Sequence, residues 1–165
     1  MSLNPLILLS VTHKRFVISC HFSMKHQGCI IAFARQRNSE LLRAFRHACR
    51  VKGFINIAEV SVMTVNSPCS RFWVSEERAA VVVSDLLKGR PVLETMRPLK
   101  REMFQEIFNR FLAIYESEPQ RPLPDIVFEV VNSPAPKFYI EPRSAMEYIY
   151  KIKKGHYKSD HYCQL

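Results

Sequence analysis

The decapeptide VNSPCSRFWV at residues 65–74 returns, ungapped and 66 positions later, as VNSPAPKFYI at residues 131–140. The likeness runs on through 65–89 and 131–155, where eight of 25 positions are identical, among them Phe72/Phe138, Ala79/Ala145 and Gly89/Gly155. Five more keep their chemistry: Arg71/Lys137, Trp73/Tyr139, Val74/Ile140, Val83/Ile149 and Leu86/Ile152. A fixed internal period predicts repeated structural units, so the first expectation is a duplicated fold. Unit A spans 24–90 and unit B spans 91–158. Residues 1–23 precede the organised pattern that starts after Met24, as an extension expected to be disordered or not made at all. Residues 159–165 are expected to be a flexible tail.

Each unit reads as three helices. In unit A, Ser39 suits an N-cap and Glu40 the first turn. Leu41, Leu42, Phe45, Ala48 and Cys49 then share one face, with Arg43, Arg46 and Arg50 opposite, and Gly53 closes the helix. In unit B, Pro98 fits a first helical turn, and Met103, Phe104, Ile107, Phe108, Phe111, Leu112 and Tyr115 form a wide apolar stripe. The β-branched content of segments 57–65 and 125–131 leaves helix or strand open, and Ile126, Val127, Val130 and Val131 on one helical face favour short second helices. Asn-Ser-Pro stops each one, because a proline disfavours helical backbone in the residue before it. Phe-Trp-Val and Phe-Tyr-Ile read as short extended connectors that plug aromatics into the core. The third helices start at Ser75 and at Glu141-Pro142 and end in Lys-Gly, a cation and then a left-handed cap. The fold expected is mostly α: two tandem three-helix repeats packed as one compact unit. Unit A resembles helix–turn–helix architecture in outline, although nine residues separate its second and third elements where a turn of about three or four is usual.

The charge is uneven. The chain carries a formal +9, and residues 1–54 hold nine Lys/Arg against Glu40 alone. Residues 55–165 hold fifteen Lys/Arg against fourteen acids, with a second basic cluster of six against two between Lys137 and Lys158. Such asymmetry points to a polyanion. Two surfaces are candidates to meet phosphate. One is the arginine stripe Arg43, Arg46 and Arg50, with Arg35 and Arg37 nearby. The other is the third helix of unit B, with Arg143, Tyr148, Lys151, Lys153 and Lys154, where cations neutralise backbone charge and tyrosine stacks or hydrogen-bonds. The third helix of unit A, with Glu76, Glu77 and Asp85, is unattractive to phosphate. Arg71 and Lys137 sit beside the aromatic pairs, a position that suits cation–π contact.

Other chemistries find little in the sequence. No Gly-rich phosphate loop, GxSxG, HExxH or paired-carboxylate motif occurs, and Glu102, Glu106 and Asp125 are scattered, so no enzyme and no cofactor is expected. His21, His26 and Cys29, and again His156, His161 and Cys163, cluster loosely without four ligands at zinc-finger spacing, so no metal is expected. The five cysteines are odd in number and widely spaced, which suits reduced thiols. The apolar run Leu6–Leu9 is too short for a leader or a membrane span. The expectation is a cytoplasmic, non-catalytic, regulatory protein that binds double-stranded DNA. The alternative is a protein-interaction module or homodimeric scaffold.

Overall fold

A computed structural model describes residues 27–52 and 56–155, with side chains from residue 32 onward. The expected N-terminal extension, the Gly53 cap and the tail fall outside the described residues. The described residues form six helices: α1 (Gln27–Lys52), α2 (Ile57–Val65), α3 (Glu76–Leu87), α4 (Pro98–Ser117), α5 (Leu123–Asn132) and α6 (Pro142–Lys153). The protein is mostly α, and its helices pack compactly around one apolar cluster.

Local signals set most of the boundaries. The Ser75 hydroxyl accepts the Arg78 N–H at 3.3 Å, and Glu76 and Glu77 occupy the positive first turn of α3. Asn56 does the same for α2, its side chain accepting the Ala58 N–H at 3.1 Å. Prolines stand in the first turns of α4, α5 and α6, where a missing N–H costs nothing. Gly89 and Gly155, at φ +71° and +77°, end α3 and α6 in the left-handed region that glycine tolerates. Ser39 is a correction. It lies inside α1, which starts twelve residues earlier at Gln27. Between them stand Ala32, Ala34, Arg35, Gln36 and Arg37, all strong helix formers, and a serine that faces solvent does not interrupt a helix propagating through it.

Packing departs from chain order. α1, α2 and α6 pack mutually as one trio, and α3, α4 and α5 as the other. α3 therefore lies on α4 and α5, which follow it in the chain, and α6 lies on α1 and α2. α2 and α3 do not pack on each other, nor do α5 and α6. This corrects the helix–turn–helix expectation, which needs its second and third helices in contact. The nine-residue connector is long enough to carry the chain from one trio to the other.

The two connectors pair with each other. The Cys69 N–H donates to the Ala135 carbonyl and the Ala135 N–H to the Cys69 carbonyl, both at 3.0 Å, as a single antiparallel bridge. The Phe72 N–H donates to the Val131 carbonyl at 3.0 Å, and the Phe138 N–H to the Val65 carbonyl at 2.9 Å. Both rings are buried, and Phe72 stacks on Tyr139 at 6.0 Å between centroids. Burial follows the same interval of 66: Leu41 and Ile107, Phe45 and Phe111, Val60 and Ile126, Val65 and Val131, Ala79 and Ala145, and Val83 and Ile149 are all buried. The fillings differ at three such places. Asn38, Ser61 and Thr64 are buried where the other half has Phe104, Val127 and Val130.

Candidate nucleic-acid interface

The arginine stripe arises from helical periodicity. Leu41, Phe45 and Ala48 are buried, which turns Arg43, Arg46 and Arg50 outward on α1. Arg35 is also exposed. Among the described residues no acid lies within ion-pairing distance of Arg35, Arg43, Arg46 or Arg50. The few acids on the same trio are engaged elsewhere. Glu40 accepts the Ser70 N–H at 3.0 Å and the Ser70 hydroxyl as well, which ties α1 to the first connector. Glu59 pairs with Lys52 at 2.5 Å between α1 and α2, and that contact holds its carboxyl below the ordinary range.

The packing of α6 decides where the second basic cluster goes. α6 leaves its sequence neighbours α4 and α5 and lies on α1 and α2. The helices of this trio together hold nine Lys/Arg against three acids, while α3, α4 and α5 hold four against eight. This packing thus sorts charge as well as helices, and two basic segments about 90 residues apart in the chain share one surface.

The sequence-selected residues divide by what they touch. Lys151 and Lys154 are exposed, and the Lys154 ammonium lies 4.6 Å over the ring of Tyr150, itself 58% exposed. Arg143 is exposed too, with Glu147 at 3.7 Å. Arg37 and Tyr148 are committed to each other. The Arg37 guanidinium lies 4.7 Å over the Tyr148 ring and donates to the Asn38 side chain at 3.2 Å, so both residues join α1 to α6.

Lys153 belongs to the same basic helix face, and the structure brings it beside the arginines of α1. Its ammonium sits 4.7 Å over the Phe45 ring. There it helps to line an open depression of about 440 Å³ with Phe45, Arg46, Cys49, Arg50 and Ile57. The floor is apolar, and the three long side chains are cationic. Helical spacing alone could not find this arrangement, because it depends on which helix α6 packs against.

A second depression, of about 460 Å³, lies over α4 and is lined by Arg101, Glu102, Gln105, Glu106, Asn109 and Tyr139 among others. Its charges are largely spent within the fold. Glu102 pairs with Lys137 at 2.6 Å and Glu106 with Arg110 at 2.8 Å, while Arg101 donates to the carbonyls of Leu93 and Glu94. Tyr139 holds a left-handed backbone at φ +54°, a strained state for a non-glycine residue. Stacking on Phe72 and the Lys137 ammonium 5.3 Å from its ring keep it there. Burial, with Glu106 and Glu102 nearby, pushes its hydroxyl up to about 12. Lys137 thus makes the contact expected beside its own aromatic pair, whereas Arg71 lies 5.1 Å over the ring of Phe33 on α1 and not over Trp73.

Among the described residues no group of three His, Cys, Asp or Glu gathers as a metal site. The two loose His/Cys clusters fall on residues whose side chains lie outside the description. No described helix is long and apolar enough to cross a membrane. Comparison with family models, curated proteins and solved structures finds no match to this chain.

Proposed function

We propose that this protein binds nucleic acid without catalysing a reaction on it, in the cytoplasm, through the surface of α1 and α6. In this reading the chain is a duplicated three-helix unit whose third helices have changed places, and the exchange assembles the binding face. One observation carries it: Arg46 and Arg50 of α1 and Lys153 of α6 line a single depression on a trio rich in cations that no acid among the described residues pairs with. Cations that no neighbouring acid neutralises gain most from phosphate, because releasing condensed counterions drives the association. Arg35, Arg43, Lys151 and Lys154 extend the face on either side.

The test is anisotropy of labelled nucleic acid at several salt concentrations. Affinity should fall along a straight line in log–log form. Arg46→Glu with Lys153→Glu should weaken binding at low salt by more than about tenfold, as loss and reversal of phosphate contacts would. Arg78→Glu with Lys100→Glu, an equal change of net charge on the other trio, should leave affinity within about twofold. Equal losses from both pairs would reduce the effect to net charge and remove the site.

The other trio favours a second reading, a protein contact such as a homodimer. Phe128 on α5 and Val81 and Leu87 on α3 are large apolar side chains exposed by 55, 51 and 42%. Failure of every nucleic acid to bind at low salt would make that reading first.

A further inference from the structure

We infer that the ligand of the α1/α6 face is single-stranded nucleic acid, held with an unpaired base in the depression between Arg46, Arg50 and Lys153. This rests on the phosphate-binding reading above and adds the class of strand, which differs from the duplex expected from sequence. A duplex offers phosphates on its outside and keeps its bases stacked within. It would meet the three cations but could place nothing against an apolar floor. Here the open part of that floor is Ile57, 51% exposed, with half-buried Cys49 beside it, while the buried Phe45 ring lies beneath the Lys153 ammonium. An unpaired nucleotide presents a flat apolar ring with a phosphate on either side, which suits an apolar floor beneath cationic side chains.

The surface leading out of the depression repeats the pattern. On α6, Tyr150 lies three residues before Lys153 and four before Lys154, so helical geometry sets it beside both. Tyr150 is 58% exposed with the Lys154 ammonium over one face. The α1/α6 face thus holds cations and an apolar floor in the depression, and an aromatic ring with a further cation beside it on α6. Alternation of charge and stacking surface is what a strand with splayed bases needs, whereas a duplex needs charge alone. The opposite trio lacks it. At the interval of 66, Leu112 and Glu116 stand where Arg46 and Arg50 do, and Leu87 stands where Lys153 does.

The experiment titrates the full chain against four labelled ligands at one low salt concentration. These are a mixed single strand of about fifteen nucleotides, an abasic strand of the same length, the matching duplex, and an acidic amphipathic peptide. The single strand should bind at least about fivefold tighter than the abasic strand or the duplex, since one stacked base is worth about five- to a hundredfold. Tyr150→Ala should lose a similar factor on the single strand and leave the abasic strand unchanged. Circular dichroism of this surface variant should match the parent.

A duplex or abasic strand that binds as tightly as the single strand would overturn the assignment of strand class, while the phosphate-binding reading stands. Binding of the peptide with no strand bound would make a protein segment the occupant and overturn both. Failure of all four ligands would also overturn both.

Discussion

The two helical trios share one buried frame and carry opposite surfaces. Leu41, Phe45, Val60 and Val83 have buried counterparts in Ile107, Phe111, Ile126 and Ile149. Yet α1, α2 and α6 have three times as many Lys/Arg as acids, and α3, α4 and α5 have half as many. Core positions answer to shape and volume, so they constrain each other across the paired connectors. Solvated positions answer to whatever the surface meets. What differs between otherwise matched halves is therefore the better guide to function.

The comparison is broken most severely at the paired connectors themselves. Phe72→Ala and Phe138→Ala should each cost about 3–5 kcal/mol in denaturant unfolding, since each empties a buried aromatic site. If the frame is shared, the two costs should agree to within about 1 kcal/mol. A tolerated change at either ring would show that the two connectors bear unequal load.

A second test sharpens the match at the bridge, where Cys69 faces Ala135. Cys69 is a buried free thiol whose Sγ contacts the Arg71 and Lys137 carbonyls at 3.3 and 3.4 Å. Burial first, and the Glu40 carboxylate second, push it from an ordinary value of 9.0 up to about 11. The folded state thus favours the neutral thiol. That contribution is complete below pH 9 and is lost as pH rises towards 11. Cys69→Ala should be close to parental in stability at pH 7, and the parent should lose ground to the variant between pH 9 and 11. Parallel stability curves across that window would place the thiol in contact with solvent.

The smallest effect concerns a difference in filling. Thr64 is buried in α2, with its hydroxyl donating to the Val60 carbonyl at 2.7 Å, where α5 has Val130. A hydroxyl bonded back to its own helix adds little. Thr64→Val should be neutral or stabilise by roughly 0.5 kcal/mol. A loss above about 1 kcal/mol would mean that the polar filling of this trio is matched to its partners.

The sequence made the elements readable and left their arrangement open. Ser75, Pro98, Pro142 and the two Lys-Gly ends act locally, through caps and fixed dihedrals, and the structure has them where local chemistry puts them. The stripe from Met103 to Tyr115 is legible for the same reason. The destination of each third helix is not, because Ala79 and Val83 offer a neighbour nearly the same apolar face as Ala145 and Ile149. The depression inherits this ambiguity. Arg46 and Arg50 can be picked out as an exposed pair, but Lys153 joins them only once α6 has packed on α1. The early start of α1 was hidden by Ser39, a residue that caps a helix in one setting and rides on its surface in another.

The packing of α6 on α1 and α2 also sets an order of events during synthesis. When α1 and α2 have left the ribosome, the helix that completes their trio has not been made, and α3 emerges next with no seat to occupy. Residues 142–153 must be translated before the first trio can close. A nascent chain interrupted anywhere before them carries the arginines but lacks Tyr150, Lys153 and Lys154. Such a fragment displays loose positive charge without the assembled surface, so a finished chain differs from an aborted one in the shape of what it offers and not only in its length.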